Sequence, residues 1–296
     1  MSADADAITI SHPEKVLFPA DGITKGDVAE YYRLVAPLMV PHIARRPLTL
    51  ERFHRGIGEK GFFQKSVTKG YPAWLERVGV PKKDGVVYHP LVTDTAGLLW
   101  LANMNCITPH VWTSRDPDLM HPDLLVFDLD PSEDDEDALR AATLLVRDAL
   151  AELGLDSRVK TTGSKGFHVV VPLDRSADYH QCARFAHGLG HALVERFPQT
   201  FTQEFYKADR GRRILLDTGR NEYHATFAAP YALRALAGAP VSAPCTWAEI
   251  ERGEVGPCSF TLRGFEERIR AVGDLWRDLH AEPQALAPAA ARLLHR

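Results

Sequence analysis

The sequence predicts a mixed α+β fold, on three observations. Short apolar strands alternate with amphipathic helices, and glycine-rich turns separate the strands in the middle of the chain. Hydrophobic and charged residues make up 45% and 25% of the 296 residues, the balance of an ordinary globular domain rather than of a disordered, collagen-like or coiled-coil chain. No apolar run approaches the roughly 20 residues that a bilayer span requires. The opening MSADADAITI lacks the basic and apolar regions of a secretory signal. The four cysteines, Cys106, Cys182, Cys245 and Cys258, form no C-x-x-C pair. Neither a cysteine zinc site nor a disulfide framework is therefore expected, and a reducing cytoplasm is.

Thr24, followed three residues later by Asp27, makes a capping box that opens a helix through Leu38. LTLERF (48–53) and GFFQK (61–65) read as short strands joined by the turn HRGIG. Residues 94–104, apolar with small side chains, read as a buried helix. DLLVFDLD (123–130) is an apolar strand ending in two carboxylates. A helix over about 134–153 follows, with Leu139, Leu144, Leu145, Leu150 and Leu153 on one side. SRVKTT (157–162), the turn GSKG and FHVVVP (167–172) make a strand–turn–strand. A helix over 178–197, a basic loop and the strand RILLD (213–217) come next. The tail from Phe260 reads as one helix followed by an Ala/Pro-rich end.

The net charge of −4 argues against a general nucleic-acid coat protein but conceals clustering. Arg45, Arg46, Arg52, Arg55, Lys60, Lys65 and Lys69 face only Glu51 and Glu59 in their stretch. Lys207, Arg210, Arg212 and Arg213 have only Asp209 against them, and the acidic run Glu133 to Asp137 offsets both clusters. A solvated face explains each cluster as well as a polyanion partner does.

The residues fit for chemistry sit at strand ends. Successive strand side chains point to opposite faces, so Asp128 and Asp130 share one. Two carboxylates held there repel unless a cation neutralises them, and oxygen-only ligation suits Mg²⁺ or Mn²⁺. Asp217 also ends an apolar strand. If it faces the pair across a sheet, three carboxylates could hold two metals for in-line phosphoryl transfer; otherwise it begins an Asp-Thr-Gly turn. In Lys160-Thr161-Thr162-Gly163-Ser164-Lys165-Gly166-Phe167-His168 the glycines allow a close approach to an anion, and Lys165 adds charge. A strand follows that turn where a Walker A loop needs a helix. His168 alternates with its valine neighbours and could share the carboxylates' face, or simply be bonded in place. Arg220 and Arg234 suit phosphate oxygens or structural ion pairs. Phe62 and Phe63 offer a stacking face, one of them being a candidate for the core.

Together, HPEKVLFP (12–19), GITKGDVAEYY (22–32), RPLTLERF (46–53), FFQK (62–65), HPDLLVFDLDPS (121–132), VKTTGSKGFHVVVPL (159–173), RILLDTGRN (213–221) and APYALRA (229–235) resemble the polymerase domain of bacterial ATP-dependent DNA ligase D, in the archaeo-eukaryotic primase superfamily. The resemblance implies two packed sheet-and-helix subdomains with an RRM-like catalytic sheet and an active site in the cleft between their sheets. It implies a single catalytic domain, with N-terminal elements over about 1–115, a core over about 116–260 and a helical tail over about 261–296. Asp128, Asp130 and Asp217 are then expected to bind two divalent ions, Mn²⁺ or Mg²⁺. Thr162, Lys165 and His168 are expected on the phosphates of an incoming NTP or dNTP, with Arg234 and Arg220 beside them. His110 is expected near the sugar and triphosphate, Phe63 against the base and Arg52 nearby. Lys15 and Lys25 match a pocket for a DNA 5′-phosphate, and Arg210 a loop that steers the primer terminus. The implied activity is template-dependent polymerisation for gap filling and end extension in non-homologous end joining, with primase activity. A DNA ligase and the Ku end-binding protein are the implied partners, and the bacterial nucleoid the implied location. Three positions depart from the family: Thr162 replaces a common Ser, His12 an Asn, and Glu51 stands where a basic residue is common. A non-catalytic DNA-end binder and a haloacid-dehalogenase-type phosphatase are the alternative readings. The first has no use for three strand-end carboxylates, and the second normally carries its D-x-D nearer the N-terminus.

Overall fold

The computed structural model describes residues 5–68 and 70–295. The first four residues of the MSADADAITI opening and Lys69, counted above in the basic stretch, lie outside the described residues. In chain order, β1 (Val16–Phe18) and β2 (Ile23–Thr24) precede α1 (Lys25–Ile43). β3 (Leu48–Arg52), β4 (Phe62–Gln64), β5 (Arg77–Lys82) and β6 (Gly85–Pro90) lead to α2 (Thr95–Asn103) and β7 (Cys106–Val111). Then come β8 (Leu124–Asp130), α3 (Glu136–Glu152), β9 (Arg158–Thr161), β10 (Phe167–Pro172), α4 (Tyr179–Arg196), β11 (Phe201–Thr202), the short α5 (Lys207–Arg210) and β12 (Ile214–Asp217). β13 (Phe227–Ala228), β14 (Pro244–Cys245), α6 (Trp247–Glu251), α7 (Phe265–Val272) and α8 (Leu286–Leu294) follow.

These elements form two compact units, and neither is one continuous stretch. The first joins the segment ending at Pro117 with Thr226–Ser242 and Phe260–Gly273. The second joins Asp118–Ala225, Ala243–Ser259 and the segment from Asp274 onward. Cuts in chain order near 115 and 260 thus differ from the grouping that compactness makes. The Ala/Pro-rich end, read from sequence as following a single helix, carries a second helix, α8. Pro288 sits in its first turn, where the missing N–H has no helical partner to lose.

In the first unit the Thr24 hydroxyl accepts from the Asp27 N–H, and the Asp27 carboxylate accepts from the Thr24 N–H, so the capping box starts α1 where its residues predict. The helix outruns its expected end at Leu38 despite Pro37 and Pro41, because Met39 and Ile43 beyond it are wholly buried. Packing of an apolar face outweighs local propensity here. The Tyr31 hydroxyl ties α1 to the later segment by donating to the Tyr231 carbonyl at 2.8 Å. A four-stranded antiparallel sheet has the order β13-β7-β3-β4. Its register sets Glu51 opposite Phe63 on one side and Thr108 on the other, and sets Arg52 opposite Phe62.

The second unit is built on a six-stranded sheet of order β11-β12-β8-β10-β9-β14. Its centre, β8-α3-β9-β10-α4-β12 with spatial order β12-β8-β10-β9, is the β-α-β-β-α-β arrangement of RRM-like domains, as expected. Leu125, Phe127 and Leu129 alternate with the acidic positions of β8 and are wholly buried. Burying each such side chain contributes about 1.5–3 kcal/mol, which fixes the strand and the direction its acidic residues face. Among the described residues no helix is long and apolar enough to cross a membrane.

Candidate functional site

In the second unit the register aligns four polar side chains in one row. Lys160 on β9 pairs with His168 on β10, His168 with Asp128 on β8, and Asp128 with Asp217 on β12. Directly paired residues share a face, so the row is a property of the pairing and not of side-chain rotamers. Asp130, two residues along β8, lies on the same side. The three carboxylates proposed from sequence as a set are thus neighbours on adjacent strands.

Guanidinium groups already hold them. Arg220 Nε lies 3.1 Å from Asp128 Oδ2, and its Nη2 lies 3.0 Å from Asp217 Oδ2. Arg210 Nη1 donates to Asp130 Oδ2 at 2.8 Å, while its remaining nitrogens donate to the Glu204 and Phe205 carbonyls. Arg210, expected to steer a primer, is buried against this carboxylate. Among the described residues no three His, Cys, Asp or Glu side chains are arranged around a common point as a metal cage. The donor chemistry nevertheless fits a hard divalent cation: carboxylate oxygens only, from two strands, on one face.

Burial opposes ionisation of Asp128, but the His168 imidazole and the Arg220 guanidinium outweigh it and hold the carboxyl well below the usual carboxylate range. Burial and the adjacent Lys160 ammonium bring His168 down to about 4, against the pull of Asp128. Near neutrality His168 is therefore an uncharged imidazole 3.4 Å from Asp128, and Arg220 is the standing counter-charge. Asp217 also fills the turn role that its sequence allowed, since its Oδ1 accepts the Gly219 N–H at 2.8 Å.

Two features here were not singled out from the sequence. Asn221 donates to the Val126 carbonyl and accepts the Val126 N–H, at 2.7 and 2.8 Å, which fastens the turn carrying Arg220 to the middle of β8. Lys160 is wholly buried. The RN in RILLDTGRN marks the Asn only once a strand to receive it is known.

The turn before β10 is organised by Thr162, whose hydroxyl accepts the Ser164 and Gly166 N–H groups, both at 3.1 Å. Gly166 packs so tightly that a Cβ there would stand 1.7 Å from the Leu129 carbonyl oxygen. Lys165 is exposed at the turn. Thr162, Lys165 and His168 thus occur together with the carboxylates in this one unit.

The first unit holds the other residues expected to act. On one face of its sheet, Phe63 is 62% exposed and meets His110 edge-on, with centroids 5.5 Å apart. His110 Nε2 lies 3.5 Å from Glu51 Oε2. Burial raises the Glu51 carboxyl, but hydrogen bonding and charge from His110, then Arg234 and Thr108, outweigh it and hold Glu51 below its ordinary value. Arg52 lies on the opposite face from Phe63. Its Nε donates to the Met104 carbonyl at 2.7 Å and its guanidinium covers Phe62. Arg52, expected beside Phe63, is thus a buried sheet residue that Gln64 also engages. Lys15 and Lys25 come together at the start of α1, where Lys25 Nζ donates to the Ser11 carbonyl and hydroxyl at 2.7 and 3.0 Å. Burial, with Lys15 next, lowers the Lys25 ammonium pKa against the pull of Glu14.

Comparisons with known proteins point one way. The family described as "LigD, primase-polymerase domain" matches residues 24–276. The chain is 34% identical, over 97% of its length, to the multifunctional non-homologous end joining protein LigD of Mycolicibacterium smegmatis. It is 28% identical, over 92% of its length, to the bifunctional non-homologous end joining protein LigD of Bacillus subtilis. It spans 37% and 44% of the lengths of these two relatives. A solved structure, the polymerase domain of Mycobacterium tuberculosis ligase D in complex with DNA, superposes with a TM-score of 0.87 at 33% identity, covering 94% of this chain and 99% of that one. With the family model matching residues 24–276 and relatives and a solved structure matching nearly its whole length, the chain belongs to the LigD primase-polymerase domain family.

Proposed function

We propose that the chain is a template-dependent nucleotidyltransferase that extends a DNA 3′-hydroxyl with NTP or dNTP and fills gaps in end joining. The observation that carries this reading is the pairing of Asp128 with Asp217 across β8 and β12, with Asp130 on the same face. Asp128, Asp130 and Asp217 would hold divalent ions, Mn²⁺ or Mg²⁺. When bound, these ions supply Lewis acidity that makes the hydroxyl a better nucleophile and offsets the charge of the departing pyrophosphate.

The rest of the task falls to the chain's own groups. Asp128 is ionised at any working pH and needs no proton removed before it binds a cation. Arg220, whose turn Asn221 fastens, offsets the mutual repulsion of Asp128 and Asp217 and orients them. The Thr162 hydroxyl shapes the 163–166 turn so that its backbone can approach a phosphate, and exposed Lys165 adds a mobile positive charge there. His168, uncharged near neutrality, has a single ring N–H; with Nε2 towards Asp128 that proton orients the carboxylate beside the phosphate turn. Phe63 presents a bare aromatic face of the kind on which bases stack. Lys15 and Lys25 would take the 5′-phosphate beyond a gap. DNA with 5′-phosphorylated ends or gaps is the substrate, a ligase and the Ku protein are the partners, and the cytoplasmic nucleoid is the location.

Extension of a gapped, 5′-phosphorylated duplex with Mn²⁺ or Mg²⁺ tests the reading. The double substitution Asp128→Ala, Asp130→Ala should abolish extension and leave duplex binding largely in place. Full extension by that variant would refute it.

A further inference from the structure

We propose that Glu51 is a positioning residue for the nucleotide site: its carboxylate fixes the imidazole of His110 on the Phe63 face of the four-stranded sheet. The inference rests on the polymerase reading above.

A carboxylate on a surface that receives a triphosphate is a liability, since like charges repel and burial adds a desolvation cost. Glu51 bears both. It sits on β3, an inner strand of its sheet, with its side chain 21% exposed. The register directs it towards the same face as Phe63 on β4 and Thr108 on β7. His110 is two residues beyond Thr108 on β7 and shares that face. Its Nε2 lies 3.5 Å from Glu51 Oε2, while the Phe63 ring meets the imidazole at an interplanar angle of 74°. The imidazole is therefore bounded on one side by an aromatic ring and on another by a carboxylate oxygen within ion-pair distance.

The charge around Glu51 supports the same role. Arg234, from the segment after β13, adds positive potential at the carboxylate. Arg52, the neighbouring residue on β3, is turned to the other face and contributes no group to this one. Glu51 thus balances His110 and Arg234, and it holds the one whose ring must present a fixed edge to a ligand. A carboxylate that only repelled phosphate would be improved by removal. One that orients His110 would not.

That difference in sign is the test. Glu51→Met keeps the side chain's length and removes the acceptor; Glu51→Gln keeps an acceptor and removes the charge. Extension of a gapped duplex templated by dT is measured as a function of ATP concentration, with ATP binding measured by calorimetry and folding by thermal melting. For Glu51→Met, KM and Kd for ATP should rise about tenfold with kcat changed little, the loss expected when a buried donor loses its acceptor. Glu51→Gln should stay within about twofold of the parent. In a His110→Ala background Glu51→Met should have no further effect, because its action passes through the ring. Unchanged or lower KM and Kd in Glu51→Met, or an undiminished effect without His110, would overturn the proposal. If the parent chain binds ATP but never extends a primer, the polymerase reading fails, and the ATP affinities still decide the role of Glu51.

Discussion

The two sheets handle charge in opposite ways. On the second unit's sheet every carboxylate of the candidate centre already has a guanidinium against it, and the row Lys160–His168–Asp128–Asp217 is fixed by strand pairing. On the first unit's sheet the working face is an exposed ring, an imidazole and one acid. The first arrangement suits a place where strong charges must be kept from collapsing on each other. The second suits a place where flat, weakly polar surface must remain open. In one sheet guanidinium groups neutralise three acids, in the other an imidazole and an exposed ring flank a single acid, so substitutions should act differently on each.

The largest contrast is expected at Asp217. Asp217→Asn keeps the turn-forming acceptor for Gly219 and removes the charge. Primer extension should fall by at least about a hundredfold while the melting temperature moves little. Next is a pair of glycines. Gly166→Ala drives a Cβ into the Leu129 carbonyl oxygen, whereas the nearest atom to a Cβ at Gly58, in the turn before β4, is 3.8 Å away. Urea unfolding should show Gly166→Ala destabilised by about 3 kcal/mol or more and Gly58→Ala changed by less than about 1 kcal/mol. Equal effects would break the distinction between a tightly packed loop and a loose one.

A third expectation concerns acid. His168 takes up its proton near 4 when folded, against about 6.5 when unfolded, so between those values the unfolded chain binds more protons. Stability therefore falls as pH is lowered from 6.5 towards 4. Melting in metal-free buffer should reveal that slope, and His168→Asn should flatten it. The smallest expected change in stability is at Phe63. Because the ring is exposed, Phe63→Ala should shift folding by no more than about 0.5 kcal/mol. Its binding to a gapped duplex with ATP should nevertheless weaken by about 1–3 kcal/mol, the value of one stacked base.

Much of this organisation was readable in the residues. The capping box at Thr24 and Asp27, the shared face of Asp128 and Asp130, and the strand–turn–strand around GSKG are local, and local rules suffice for them. The β5–β6 hairpin was not read, although Asp84-Gly85 is a turn signal, because Pro81 and the lysines beside it obscure the alternation that marks a strand. The side of the sheet on which Arg52 falls follows from its pairing with Phe62, and the grip of Arg210 on Asp130 from a contact spanning 80 residues. Neither can be had from spacing alone. The same holds for Asn221, whose partner, the Val126 backbone, is 95 residues away.

The interleaved make-up of the two units bears on how the protein is made. The first unit takes in Phe260–Gly273, so it cannot close until Gly273 has left the ribosome, when nearly all of the second has also been synthesised. The segment emerging first must wait, partly unfinished, through most of translation. The two bodies then mature almost together, and a scissile point between them that would free either one intact does not exist along the chain.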